Sequence, residues 1–431
     1  MLDDVNETLS RVGPGTAMGA LFRRFWLPAL MPSELPGPDC DPVRLRLLGE
    51  DLVAFRDTEG RIGVLAEKCP HRRASLFFGR NENSGIRCVY HGWKFDVNGK
   101  CLDVPNAPDE YDLKDRIRQP SYPAREWGGF IWVYMGAQDH MPDLPELDWV
   151  HTPGPQRWQT KWVADSNYLQ AMEGEIDTSH TSFLHREDNP ANLSKAVVAA
   201  QAMWRKDTAP RLFFQETDYG FYYGSRRDMG DGNYYWRITQ WLLPSFAIIP
   251  SERWPMISRG YVPIDDEHTF VFATSYNPSA PLDAHDIEVL ESGRGSAPTL
   301  IPGTYLPALN RSNDYGLDRE RQRRGSFTGI LGVNDQDRAV YESMGRIADR
   351  ENEHLCYSDL AVVSARRLLI ERARAAHRGG PVREPRSSLD YRVRPLNIVT
   401  PIDDIQEVVR VHHDRMHPSD SMDEGVRVPA E

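Results

Sequence analysis

The sequence has few cysteines and no long apolar run. Its 431 residues include five cysteines, Cys40, Cys69, Cys88, Cys101 and Cys356, which are too few and too scattered for a disulfide scaffold. No stretch reaches the roughly 18 uninterrupted apolar residues that a transmembrane helix needs. The opening residues, MLDDVNETLS, lack the basic and apolar regions of a secretion signal. The sequence therefore predicts a cytoplasmic protein with no membrane partner, in which some cysteines serve as metal ligands.

Basic residues are in the minority among the charged residues. The chain has 51 Lys and Arg against 63 Asp and Glu, which gives a formal net charge of −12. An acidic chain of this kind disfavours a nucleic-acid or anionic-membrane partner. The sequence also contains no glycine-rich GxGxxG loop of the kind that binds dinucleotides. If the chain catalyses a reaction that uses electrons from NAD(P)H, these electrons would therefore have to arrive through a separate ferredoxin or flavin reductase.

One motif combines two cysteines with two histidines. Cys69-x-His71 is followed sixteen residues later by Cys88-x-x-His91, so each of two loops supplies one thiolate and one imidazole. Two Cys on one iron and two His on the other form a Rieske [2Fe–2S] centre. A zinc site with the same four ligands is the alternative. The Cys-x-His spacing, Pro70 and the run YHGW favour the iron–sulfur cluster.

A second group of candidate ligands lies in NYLQAMEGEIDTSHTSFLHR, where Asp177, His180 and His185 stand among apolar residues. Buried polar groups need partners. On a helix the two histidines would lie about 140° apart, so the chain must leave the helix near Phe183 for both imidazoles to bind one metal. Asp177 can then accept the ring N–H of His180 and fix its tautomer. Two His and a distant carboxylate form the facial triad of non-haem Fe(II) oxygenases; two ordinary core histidines are the alternative.

The carboxylate that would complete this triad is expected between residues 335 and 372. The candidates there are Asp335, Asp337, Glu342, Asp349, Glu351, Glu353 and Asp359. On a helix, apolar residues flank Asp359 at offsets −4, +3 and +4, whereas polar residues or glycine flank Asp349. An Asp on an apolar stripe is costly unless a charge or a metal meets it. We therefore predict Asp359 as the third iron ligand.

Short alternating runs predict strands on both sides of a proline-rich linker. VRLRLLG, DLVAFRD, IGVLAEK and GGFIWVYMG precede the linker MPDLPELDWVHTPGPQ, and YYWRITQWLLPSFAIIP and HTFVFATSYNP follow it. The prediction is an α+β chain with four parts. They are an N-terminal helical segment (1–41), an all-β Rieske domain (42–155), a mononuclear iron domain (156–380) and a partly flexible C-terminal extension (381–431).

These motifs resemble those of a known family. CPHRRASL and CVYHGWKFD look like the Rieske domain of the ring-hydroxylating oxygenase alpha subunits, and RVGPGTAMGALFRRFWLPAL is similar to their phthalate dioxygenase branch. The likeness continues through NYLQAMEGEIDTSHTSFLH, GYVPIDDEHTF and the stretch from NDYGLD to EHLCYSD, and so covers nearly the whole chain. The resemblance implies a helix-grip catalytic domain, an antiparallel sheet covered by helices that carry the mononuclear iron. It also agrees with Asp359 as a ligand.

The resemblance further implies a reaction and an assembly. The expected reaction is hydroxylation of an aromatic acid of the phthalate or benzoate type with O₂, as cis-dihydroxylation or monohydroxylation. Oxidative O-demethylation of a methoxylated aromatic is the alternative, and a Rieske electron carrier, which needs no second metal, is a third class. In the family, the Asp that matches Asp177 links the iron of one subunit to a cluster histidine of its neighbour, here His71 or His91. A homotrimer or a multiple of trimers is therefore expected.

Arginines in the second domain are candidates for binding an acidic substrate. A planar guanidinium can hold a carboxylate through two parallel hydrogen bonds. The candidates in or beside the predicted strands are Arg205, Arg226, Arg227 and Arg237. Pairing with acids such as Glu216 and Asp218 is the alternative role for each of them.

Overall fold

The structure is a computed structural model of the chain, and it describes residues 2–111, 113–188, 195–251, 254–382 and 384–418. The helices are α1 (Leu2–Ser10), α2 (Ala17–Phe22), α3 (Tyr168–Glu173), α4 (Lys195–Trp204), α5 (Ala284–Glu291), α6 (Arg319–Arg324), α7 (Val333–Ser343), α8 (Leu360–His377), α9 (Ile405–Val411) and α10 (His413–Met416). The strands of the N-terminal half are β1 (Trp26–Leu30), β2 (Val43–Leu47), β3 (Glu50–Arg56), β4 (Ile62–Ala66), β5 (Arg80–Asn81), β6 (Ile86–Arg87), β7 (Lys94–Phe95), β8 (Cys101–Asp103), β9 (Ser121–Tyr122), β10 (Ala124–Trp127) and β11 (Phe130–Tyr134). The remaining strands are β12 (Arg157–Ala164), β13 (Arg211–Glu216), β14 (Gly220–Asp228), β15 (Tyr234–Leu242), β16 (Phe246–Ile249), β17 (Met256–Pro263), β18 (Thr269–Tyr276) and β19 (Leu396–Thr400).

The largest sheet in the described part of the chain has eight antiparallel strands. Their order is β12-β18-β17-β16-β15-β14-β13, and β19 pairs with β15. The strands are rich in aromatic and β-branched residues, which suit a pleated and half-buried surface. Helix α3 packs against β17 and helix α8 against β13. The predicted antiparallel sheet covered by helices is therefore confirmed. None of the helices in the described residues combines the length and apolar character that crossing a bilayer requires.

The N-terminal half contains smaller sheets, two of which surround the Cys/His motif. One has the order β2-β3-β4-β9, and the other has the order β5-β6-β7-β8. Side chains from both, including Phe55 and Phe95, form an apolar core that also contains Cys69 and Cys88. The predicted all-β character of this domain is confirmed, and the cysteines of the motif belong to its core.

The segment predicted as helical over residues 1–41 holds a strand as well as helices α1 and α2. Strand β1 pairs antiparallel with β11, with Trp26 opposite Tyr134. All five residues of β1 are buried. A fully buried strand shows no alternation of apolar and polar residues, so periodicity does not distinguish it from a helix.

The two halves are joined through a shared apolar core. At their junction the buried Lys161 on β12 pairs with Glu34 at 2.6 Å and donates to the carbonyl of Ala29 at 3.2 Å. Strand β12 begins at Arg157, close to the predicted boundary near 155. In the C-terminal extension, β19 joins the large sheet. Residues 419–431 lie outside the described residues, so the flexibility predicted for them stays a prediction.

Candidate metal centres

Two histidines from the segment that follows α3 lie close to one aspartate on α7. The ligand atoms of His180, His185 and Asp337 all lie within 4.8 Å of one another. Nε2 of His180 is 3.2 Å from Nε2 of His185, and Oδ1 of Asp337 lies 3.2 Å from Nε2 of His185. Two imidazoles and one carboxylate around a common point are the donor set of a non-haem iron site.

The chain leaves the helix earlier than the sequence predicted. Helix α3 ends at Glu173, a single 3₁₀ turn follows, and Asp177 has extended backbone angles of φ −108° and ψ 105°. His180 begins a second 3₁₀ turn, and His185 lies just beyond it. The irregular backbone allows both imidazoles to face the same point, which one regular helix would prevent.

Each histidine has a polar neighbour at its other ring nitrogen. Nδ1 of His180 lies 3.5 Å from Oδ2 of Asp177, the residue predicted to orient it. Nδ1 of His185 forms a 2.8 Å hydrogen bond with Oε1 of Gln336. Burial favours a protonated carboxyl at Asp337, but His185 and His180 outweigh this effect, so the pKa of Asp337 is lowered. The carboxylate is therefore ionised at neutral pH, as a metal ligand has to be.

Asp337, and not the predicted third ligand Asp359, is the carboxylate that the structure places beside the two histidines. Asp359 stands at the N-terminus of α8, where its Oδ2 accepts a 2.7 Å hydrogen bond from the backbone N–H of Cys356. Because α8 begins only at Leu360, Leu355 does not share a helix with Asp359, and Leu355 is 45% exposed. The inferred apolar stripe therefore does not extend to both sides of Asp359 on one helix.

A signal for Asp337 is present in the sequence. At the offsets used for Asp359, Asp337 has Val333, Val340 and Tyr341, all within α7. Comparison of the residues at offsets −4, +3 and +4 therefore places Asp337 on an apolar stripe of helix α7.

The four residues of the Cys/His motif lie on two tight loops. In the first, the N–H of Cys69 donates to the carbonyl of Ala74 at 2.8 Å. In the second, which joins β6 to β7, the N–H of Cys88 donates to the carbonyl of Trp93 at 2.8 Å. The structure brings the two loops together, with the rings of His71 and His91 4.4 Å apart between centroids.

The environment of these four residues fits a metal cluster. Nδ1 of His71 is buried and has no hydrogen-bond partner among the described residues. Cys69 and Cys88 are buried too, and burial raises the pKa of the Cys69 thiol to about 11. Such a thiol stays protonated at neutral pH unless a metal displaces its proton. An unpartnered imidazole nitrogen beside two buried sulfurs is what removing a metal group from its ligands would leave.

A cavity of about 160 Å³ adjoins the His180, His185 and Asp337 group. Most of its lining is apolar, from Trp204, Ile257, Val289 and Leu290 among others. A dry apolar cavity of about 150 Å³ holds a benzene molecule in another protein. The space beside the candidate metal site therefore suits one aromatic ring.

Comparisons with known proteins match both halves of the chain. Residues 25–123 match the Rieske [2Fe-2S] domain family, and residues 133–392 match the family described as LigXa C-terminal domain like. The chain is 40% identical to the phthalate 4,5-dioxygenase oxygenase subunit of Pseudomonas putida, over 87% of this chain and 86% of that protein. It is 38% identical to the 3-chlorobenzoate-3,4-dioxygenase oxygenase subunit of Comamonas testosteroni, over 87% and 89%. In fold it is similar to the oxygenase in the reduced oxygenase–ferredoxin complex of carbazole 1,9a-dioxygenase, with a TM-score of 0.56, 20% identity and coverage of 88% and 98%.

Proposed function

We propose that this chain, which belongs to the Rieske non-haem iron oxygenases, hydroxylates an aromatic acid of the phthalate or benzoate type. Membership of the family brings a Rieske [2Fe–2S] cluster and a mononuclear iron. The observation that carries the proposed substrate is the guanidinium of Arg237, which lines the cavity beside the iron site and forms no ion pair with any of the described residues. The names of the similar oxygenase subunits, which specify phthalate and chlorobenzoate, support the same substrate class.

Each metal group has a proposed set of ligands. Cys69 and Cys88 would hold one iron of the cluster, and His71 and His91 the other. The mononuclear iron would be held by the group of His180, His185 and Asp337. When bound, these groups supply electron transfer and O₂ activation, while the surrounding residues bind the substrate and limit the access of water.

Arg237 is suited to bind a carboxylate because no acid of the described residues forms an ion pair with it. It lies on β15, lines the cavity and makes a cation–π contact with Trp204, with its guanidinium carbon 5.5 Å from the ring centroid. This contact holds the guanidinium beside the ring, and an Arg guanidinium carries five N–H donors that can bind a carboxylate. A partly buried cation without a counter-ion is unfavourable, and a substrate carboxylate would relieve that cost.

The other three candidate arginines are engaged elsewhere. Arg205 pairs with Asp188 at 2.7 Å, and Arg226 donates to the backbone carbonyl of Asp403 at 2.7 Å. Arg227 is fully buried and donates to the backbone carbonyls of residues 207 and 178, at 3.0 and 3.1 Å. None of the three lines the cavity. Of the four arginines considered as ligands for a substrate carboxylate, Arg237 is therefore the one that we propose.

Electrons would come from NAD(P)H through a separate ferredoxin or flavin reductase in the cytoplasm. The absence of a GxGxxG loop from the sequence supports a separate reductase. The solved complex of a similarly folded oxygenase with a ferredoxin supports an iron–sulfur protein as the direct electron donor.

We also propose a homotrimer or a multiple of trimers, in which Asp177 of one copy approaches the cluster histidines of the next. Two exposed apolar surfaces support this arrangement. One is the cluster loop, where Tyr90 is 53% exposed; the other is a recess beside Asp177, where Met344 is 51% exposed. Exposed apolar surface of this kind favours a protein contact.

Turnover under ¹⁸O₂ tests the reaction. The holoenzyme, a compatible reductase and NAD(P)H are supplied with benzoates, phthalates and methoxylated aromatics, and the products are analysed by mass spectrometry. We expect hydroxylated acids labelled with ¹⁸O. Formaldehyde release from the methoxylated compounds, without hydroxylation of the acids, would identify an O-demethylase instead.

Arg237→Met tests the substrate class. A hydrogen bond to a charged group contributes about 1.5–3 kcal/mol, which corresponds to about a 10- to 150-fold change in affinity. We expect Arg237→Met to raise the Kd for the accepted acid by that factor and to change binding of its neutral amide analogue little. Arg226→Met is the matched control, because Arg226 also makes a cation–π contact, with the ring of Tyr234 at 4.4 Å, but does not line the cavity. Equal losses for the acid and the amide would contradict carboxylate binding.

A further inference from the structure

Gln336 is a buried residue beside the iron site with both ends of its amide engaged. Its Oε1 lies 2.8 Å from Nδ1 of His185, and its Nε2 donates to the backbone carbonyl of Ile330 at 2.8 Å. The carbonyl of Ile330 can only accept, so the NH₂ end of the amide must face it. The oxygen end therefore faces the imidazole.

This orientation determines the tautomer of His185. An amide oxygen only accepts hydrogen bonds, so Nδ1 of His185 has to carry the hydrogen. In the neutral ring Nε2 then keeps its lone pair, and Nε2 is the atom that faces Asp337 and His180. A metal ligand needs that lone pair.

The two histidines differ in the charge of their neighbours. His180 has the carboxylate of Asp177 beside its Nδ1, whereas His185 has a neutral amide. Asp337 already supplies a negative charge at the site, and burying another carboxylate next to it would be costly. Glutamine provides the acceptor without adding that charge.

We infer that Gln336 is a positioning residue, which holds His185 as the Nδ1–H tautomer with Nε2 directed at the iron. This inference rests on the proposed ligand set of His180, His185 and Asp337. Gln336 directly precedes Asp337 on α7, so it connects the helix that carries the carboxylate with the irregular segment that carries the histidine. Its bond to Ile330, just before α7, fixes the amide on the other side.

Iron release to a ferrous chelator under anaerobic conditions tests this role in the holoenzyme. Gln336→Met keeps the length of the side chain but removes both the acceptor for His185 and the donor to Ile330. Gln336→Glu loses the donor to Ile330 but keeps an acceptor for His185. Outer-shell partners of metal-bound histidines typically contribute about 10- to 100-fold to metal affinity. We expect Gln336→Met to release the mononuclear iron about 10- to 100-fold faster than wild type. Gln336→Glu should release it more slowly than Gln336→Met, because the acceptor for Nδ1 of His185 is retained. The absorption and EPR spectra of the cluster should be unchanged in both.

Gln240→Met is the matched control, because Gln240 is another buried glutamine with both ends bonded. It accepts from the hydroxyl of Tyr219 at 2.6 Å and donates to the carbonyl of Arg394 at 3.0 Å. It does not contact the histidines, so its variant should release iron at the wild-type rate. Iron release from Gln336→Met at the Gln240→Met rate would overturn the inference. Equally fast release from Gln336→Met and Gln336→Glu would also overturn it, because the bond to Ile330 would then be the one that matters.

Two further readouts keep the test decisive. If Gln336→Met does not fold, the test is the EPR spectrum of the ferrous–nitrosyl complex formed by Gln336→Glu. A charged acceptor beside His185 should change the rhombicity of this spectrum. A spectrum identical to that of wild type would overturn the inference. Asp337→Ala separates the inference from its premise. Retention of iron in Asp337→Ala would refute the proposed ligand set, whereas loss there and retention in Gln336→Met would refute only the role of Gln336.

Discussion

Replacing Asp337 by Ala tests the proposed iron ligands most directly. Its carboxylate is the anionic member of the group, with Oδ1 3.2 Å from Nε2 of His185 and 3.8 Å from Nε2 of His180. An Ala leaves two imidazoles and no anionic ligand for the metal. We expect the variant to purify with about two irons per chain, those of the cluster, instead of about three.

The size of the effect follows from binding linkage. A metal that binds only the folded protein stabilises it by RT ln(1 + [L]/Kd), which is about 2.7 kcal/mol at a hundredfold excess over Kd. Adding Fe(II) at that excess to wild-type protein depleted of mononuclear iron should raise the unfolding free energy by about this amount. The same addition to Asp337→Ala should cause no shift. Anaerobic scanning calorimetry with and without Fe(II), together with iron and sulfide analysis, measures both quantities.

Asp359→Ala is the control for this prediction. It removes the hydrogen bond from the N–H of Cys356 to Oδ2 of Asp359, and the loss of one such bond costs about 1 kcal/mol. The variant should keep the third iron and the stabilisation by Fe(II). A third iron in Asp337→Ala, or its loss in Asp359→Ala, would refute the reasoning that assigns the ligand to α7.

Two further predictions concern the cluster and its link to the iron. His91→Cys should lower the reduction potential of the cluster, because a thiolate would replace a neutral imidazole. An EPR-monitored redox titration measures this potential. If anaerobically purified wild-type protein contained zinc and no inorganic sulfide, the proposal that these residues bind an iron–sulfur cluster would be contradicted. Asp177→Asn should keep both metal centres but lower turnover by orders of magnitude, with slower reoxidation of the reduced cluster in rapid-mixing experiments. Reoxidation at the wild-type rate, or an active monomer in sedimentation, would contradict the proposed role of Asp177 between subunits.

The Cys/His motif could be found from sequence because its geometry is local. Each loop supplies two of the four residues within a few positions, and a backbone hydrogen bond closes each loop, as between Cys88 and Trp93. Spacing alone therefore encodes most of the arrangement. What the sequence did not show is the packing of His71, whose ring stacks on Trp93 at 4.5 Å between centroids.

Strand β1 cannot be predicted from the local sequence, because its partner strand is far away in the chain. Trp26 pairs with Tyr134, more than a hundred residues later, and nothing near Trp26 in the sequence indicates this pairing. The apolar residues before it, including Leu21 and Phe22, do form helix α2. The helical pattern was therefore real but was extended too far.

The choice between Asp359 and Asp337 shows where helical periodicity needs a second criterion. Both residues have apolar neighbours at offsets −4, +3 and +4, so the apolar stripe alone does not separate them. Asp359, however, directly precedes the run LAVVSARRLLI, and an Asp before an amphipathic run is typical of a helix start. Its carboxylate has a local partner there, the backbone N–H of Cys356. Asp337 lies inside its helix, where no free backbone N–H is available to it. An Asp on an apolar stripe inside a helix therefore lacks a local partner, and a partner from elsewhere, here two histidines and the proposed iron, is what explains it.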